Sequence, residues 1–194
     1  MLKEQMKQYA ERLQKGQAIL FKEEQEYLKK NNMFEGLGDK LSVADASARF
    51  KGSYMERSEK ELESLLAEES ADFLKLPISY FRQHKNEFLY MESEWFEIIG
   101  VDAISLETDD LFENYDVMLG LKLQKKYSSV IRRYLEKELK NSDTDFDLIF
   151  EDAIWNLNFN LEAVDGFSET MSIGEAYELI YAFLFKLAES VEEQ

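Results

Sequence analysis

Residues 154–161 read IWNLNFNL, with Trp155, Leu157, Phe159 and Leu161 alternating with Asn156, Asn158 and Asn160. This period of two places four apolar side chains on one face and three carboxamides on the other, which is the pattern of an extended strand. Asparagine is a poor strand former, so the alternation carries the assignment, not intrinsic propensity. A strand with one dry and one wet face belongs in an antiparallel sheet.

Three neighbouring segments share the pattern. Phe146, Leu148 and Phe150 alternate just upstream, and Glu151-Asp152 turns the chain between the two strands. Val117, Leu119, Leu121 and Leu123 alternate with Met118, Gly120 and Lys122, and Val101–Glu107 is shorter but similar. Residues 124–140 change to a helical period through Tyr127, Val130, Ile131, Tyr134, Leu135 and Leu139. Ser172–Glu175 is a capping box, and Ile173, Ala176, Tyr177, Ile180, Leu184, Leu187 and Val191 extend a helix behind it. Residues 101–194 are therefore expected to form an α+β sheet domain, strand-strand-helix twice, with about four antiparallel strands covered by two helices.

The first hundred residues read as mainly helical. Leu2, Met6, Tyr9 and Leu13 mark one amphipathic helix, and Leu20 to Leu28 mark a second that ends at Asn31-Asn32. Gly36 and Gly38 mark a turn, and Ser42 can cap a short helix through Phe50. Ser58–Glu61 has the form of a capping box before an apolar stripe of Leu62, Leu65, Leu66 and Phe73. Pro77 opens a further helix to Ile99, stopped by Gly100, although Phe88–Met91 suits helix or strand equally well.

Charge is distributed unevenly. The net charge of −17 arises from 13 basic and 15 acidic residues in 1–76, against 10 and 25 in 77–194. Residues 87–116 and 141–185 each hold ten acids and no base, and the basic run 122–140 lies between them. This sign disfavours binding to a phosphate backbone and suits a basic partner. There is no cysteine, which excludes disulfides and thiolate chemistry. The charged opening MLKEQMKQYAERLQ has no apolar signal core, so the expected location is cytoplasmic, without membrane contact.

Chemical motifs are scarce. Asp143, Asp145 and Asp147 have the spacing of a Ca²⁺ loop, but Leu148 and Ile154 stand where such a loop needs glycine and glutamate. His84 is the sole histidine and lies in a polar stretch with no G-x-S-x-G element. The pairs Asp109/Asp110 and Glu151/Asp152 read as turn residues. Gly36-Leu37-Gly38 lacks the remainder of a phosphate loop. No catalytic, cofactor or metal residue is assigned. Tyr177, Tyr181, Phe183 and Phe185 read mainly as core, with the condition that Tyr181, Phe183 and Phe185, if exposed, would form an apolar patch for a partner.

At Leu74–Ser79, Tyr115–Tyr127 and Met171–Leu187 the chain resembles a group of small, acidic, uncharacterised bacterial proteins. Some of these carry the label branched-chain amino acid aminotransferase. Enzymes of that family are much longer and hold pyridoxal phosphate on a Schiff-base lysine; no lysine here has such a setting, so no cofactor is carried over. The element order is also similar to that of type III secretion chaperones, which dimerise and hold extended client segments.

The leading expectation is a non-enzymatic protein-protein interaction or chaperone-like adaptor protein that binds another, basic protein; a homodimer is compatible with it. The alternatives are a small-molecule enzyme with a carboxylate-based, Mg²⁺-dependent site, and an acidic nucleic-acid mimic.

Overall fold

The computed structural model describes residues 2–13, 18–33, 41–43, 49–62, 64–140 and 146–194. Two short strands, β1 (Ala18–Leu20) and β2 (Leu41–Val43), pair in parallel apart from the main sheet. The remaining strands are β3 (Tyr54–Glu59), β4 (Ser64–Glu68), β5 (Glu87–Glu92), β6 (Val101–Thr108), β7 (Tyr115–Leu121), β8 (Phe146–Glu151) and β9 (Ile154–Asn160). They form one seven-stranded antiparallel sheet in the order β4-β3-β5-β6-β7-β9-β8. Helices wholly within the described residues are α1 (Leu2–Leu13), α2 (Lys22–Lys30), the short α3 (Tyr80–Gln83), α4 (Ser128–Glu138) and α5 (Ile173–Glu192).

This corrects the expected helical first half followed by four strands beneath two helices. Three of the seven strands come from residues 54–92, and the sheet continues across residue 100 through the pairing of β5 with β6. Ser58 sits in β3 and does not cap a helix; Leu62, Leu65 and Leu66 are 75%, 53% and 47% exposed around the β3–β4 hairpin and form no buried stripe. The alternation of β3 is masked because Arg57 follows Met55 on the inner side. Its guanidinium is held by Glu69 (2.7 Å) and Glu87 (3.0 Å), so a charged residue occupies an inward position.

The helix expected from Pro77 to Ile99 is replaced by α3, β5 and a 3₁₀ segment at Glu94–Ile99, closed by Gly100 at φ 72°. Phe88–Met91 is strand. Ser42 lies in β2. The turn at Gly36 and Gly38 and the loop around Asp143 lie outside the described residues.

The inner face of the sheet meets α5. Leu89, Ile104, Leu106, Val117, Trp155, Leu157 and Phe159 are buried on the sheet side, and twelve residues of α5 are buried opposite. A helix apolar on nearly all sides needs cover all round. The sheet covers one side; α1 and α2 pack on another, and α1 also meets the 3₁₀ segment Glu94–Ile99. Tyr27 donates to Glu192 at 2.5 Å, and Lys30 pairs with Glu189 and Glu193 at 2.7 and 2.6 Å. Tyr177 Oη lies 2.9 Å from Leu89 O and 3.3 Å from Ile104 O, sharing its one proton between two central strands. Helix α4 braces the far edge, where Tyr134 donates to Phe183 O (2.8 Å) and Arg132 to Leu148 O (3.0 Å). The start of α5 is the expected capping box, with Ser172 Oγ accepting from Glu175 N at 3.2 Å. Among the described residues no helix is long and apolar enough to cross a membrane.

Candidate functional site

Strand alternation fixes what faces away from α5. The register aligns Tyr90, Ser105, Met118, Asn158 and Asp147 in one row across five strands. Phe88, Glu107, Asp116 and Asn160 form the next row. Asp147 is exposed and the other eight are partly exposed, so this outer face of the sheet is reachable from solvent. A trough of ≈ 480 Å³ crosses it, floored by Ala103, Ser105, Met118 and Gly120 and flanked by Tyr90 and Ile149. Gly120 keeps the floor low: a Cβ there would stand 3.0 Å from the Ile154 side chain.

The hairpin end of this face is acidic. Glu107 and Asp116 are directly paired across β6 and β7. Lys60 lies 3.2 Å from Glu107 and 3.3 Å from Asp110, and also donates to Thr108 O. Burial, reinforced by the charges of Asp109 and Glu107, pushes the Asp116 carboxyl up to about 6 despite Lys60. Burial also raises Glu107, and Lys60 opposes that shift. Beside Asp116 lies a cavity of ≈ 410 Å³ lined by Asp109, Phe112, Asn114, Asp147 and Asn160 among others.

The β6–β7 hairpin is firmly built. Asp109 accepts from Leu111 N (3.0 Å) and Phe112 N (2.5 Å) through its side chain and from Glu113 N (3.1 Å) through its carbonyl. Asp109 N donates to Asn114 O at 2.8 Å. On this frame Leu111 and Phe112 are 82% and 76% exposed.

The aromatic residues considered for partner binding lie elsewhere and are inaccessible: Tyr181, Phe183 and Phe185 are all buried. Tyr181 donates to Glu24 at 2.6 Å. Phe183 packs on Phe159 with ring centroids 5.1 Å apart, and Phe185 meets Tyr27 edge-on at 5.7 Å. Tyr181 and Phe185 are core because α2 covers their side of α5, and Phe183 because it faces Phe159 of the sheet and Tyr134 of α4.

The same region holds a buried ion pair that no sequence motif marks. Glu24 accepts from Arg49, Tyr181 and Phe21 N, and the Arg49 guanidinium stacks on Trp95 at 3.7 Å. Removing one partner of such a pair typically costs about 3–5 kcal/mol, because the other charge stays buried. This cluster joins α2 to α5.

His84 stacks on Tyr80 at 4.2 Å and lies 3.6 Å from Glu87. Asp109 and Asp110 sit in the β6–β7 turn and Asp152 in the β8–β9 turn. Asp143 and Asp145 lie outside the described residues, whereas Asp147 lines both cavities. Among the described residues no three acidic or histidine side chains are grouped to hold a metal ion. No protein-family model, curated protein or solved structure matches the chain.

Proposed function

We propose that this chain is a non-enzymatic protein-binding module of the adaptor or chaperone-like kind, and that its partner sits on the outer face of the sheet. The observation that supports this reading is the open trough on that face, where Tyr90, Ala103, Met118 and Ile149 present apolar surface beside the polar and acidic Ser105, Asn158, Asp102 and Asp147. Stable interfaces combine apolar contact area with polar groups in this way. The acid charge around the trough favours a basic partner and speeds its encounter.

A photoreactive side chain in place of Ser105 tests the proposal in cells, with the same group at Lys137, which is 78% exposed on α4, as control. The expected result is one discrete cross-linked protein from position 105, absent from position 137 and lost when Met118→Lys is added. Identical patterns from both positions, or none from 105, would overturn it.

A second reading is supported by one observation: a carboxyl at about 6 beside a cavity. That is the setting of a small-molecule site with Asp116 as proton donor or acceptor. Thermal stabilisation by a metabolite, with or without Mg²⁺, and its loss in Asp116→Asn would support this reading over the first.

A further inference from the structure

We infer that the β6–β7 hairpin tip and the cavity beside it dock a cationic, apolar segment of the partner protein, one in which lysine or arginine stands next to a large apolar side chain. The inference rests on the protein-binding reading above and names the chemistry of its contact.

Two observations converge on this corner of the molecule. The first is apolar. Leu111 and Phe112 are the most exposed large hydrophobic residues described, yet their backbone is pinned by the Asp109 hydrogen bonds. A loop held in place loses little freedom on binding, so most of the contact energy of its side chains is available for affinity.

The second is electrostatic. Phe112 forms one wall of a cavity whose other walls include Asp109, Asp116 and Asp147. Neither Asp116 nor Asp147 has an ion-pair partner among the described residues, and the nearby Lys60 is already shared between Glu107, Asp110 and Thr108 O. A lysine or arginine entering here would lay its stem along Phe112 and bring its head to Asp116, the arrangement long cationic side chains adopt over apolar surface. The apolar neighbour would cover Leu111. An anionic peptide, a phosphate or a nucleic acid would meet like charge.

The test is selection of short random peptides, displayed on phage, against the full chain, followed by dissociation constants of the enriched peptides for wild type, Phe112→Ser, Asp116→Asn and Met118→Lys. Phe112 is exposed, and the thermal transition of each variant shows that it is folded. Enriched peptides should carry Lys or Arg adjacent to Leu, Ile, Phe or Trp, and should bind Phe112→Ser and Asp116→Asn roughly tenfold more weakly, the scale of an interface anchor. Failure to enrich, enrichment of acidic peptides, or unchanged affinity in both variants would overturn the inference. Peptides weakened only by Met118→Lys would overturn it while leaving the outer-face reading intact. Peptides dependent on Phe112, alongside a blank Ser105 cross-link, would do the reverse.

Discussion

Asp116 shows how one side chain records its surroundings. Its carboxyl is held at about 6, against an ordinary value of 3.8, by burial and by Asp109 and Glu107. Between those two values the folded chain binds more protons than the unfolded chain, so stability falls as pH rises through about 4 to 6 and stays lower above it. For a fully buried group a displacement of this size would be worth about 3 kcal/mol. Asp116 is only half buried, and solvent screening reduces this to about 1 kcal/mol. Asp116→Asn should therefore melt about 2–4 °C above wild type at neutral pH, and the two curves should converge near pH 4. A variant that melts lower at neutral pH would show that the Asp116 charge is stabilised and that the acidic corner is not strained.

At the level of elements, the β8–β9 hairpin carries a testable cost. Asp152 and Ala153 both have positive φ, 48° and 66°, the turn form that matches strand twist but favours Asn-Gly or Asp-Gly. Alanine in left-handed geometry costs about 1–2 kcal/mol, and glycine's extra freedom in the unfolded chain returns about 0.4–1 kcal/mol of that. Ala153→Gly should thus stabilise the protein by about 0.5–1 kcal/mol, read as a higher denaturation midpoint at unchanged slope. Strand β9 was legible because its inward positions are all apolar. Strand β3 was not, since Arg57 occupies an inward position and its partners Glu69 and Glu87 are distant in sequence. Strand β5 has Phe88 and Tyr90 outside and Leu89 and Met91 inside, so both faces are apolar and no period stands out. The surplus aromatics of α5 gave no sign that α2, α4 and the sheet would enclose them. The candidate site was even less visible: Leu111-Phe112 stands between the polar pairs Asp109-Asp110 and Glu113-Asn114 with no period to mark it, and the approach of Glu107, Asp116 and Asp147 arises only from cross-strand register.

For the molecule as a whole, the net charge of −17 sets two salt effects of opposite sign. Self-repulsion destabilises a compact, highly charged chain, and salt relieves it as the screening length drops from ~30 Å at ~10 mM to ~10 Å at ~0.1 M. Salt also weakens exposed pairs such as Lys30 with Glu193 and Lys85 with Glu113, but each contributes only about 0–1 kcal/mol. The Arg49–Glu24 pair is buried and screened far less. With acids outnumbering bases 40 to 23, repulsion dominates, so the melting temperature should rise as NaCl is increased from ~10 mM to ~0.3 M. Over the same range the association rate of a basic peptide should fall, because its steering depends on the unscreened field. Calorimetry and stopped-flow fluorescence on one salt series read both. A melting temperature that falls with salt would mean that surface pairs outweigh repulsion. An association rate indifferent to salt would mean that the partner is recognised by its apolar residues alone.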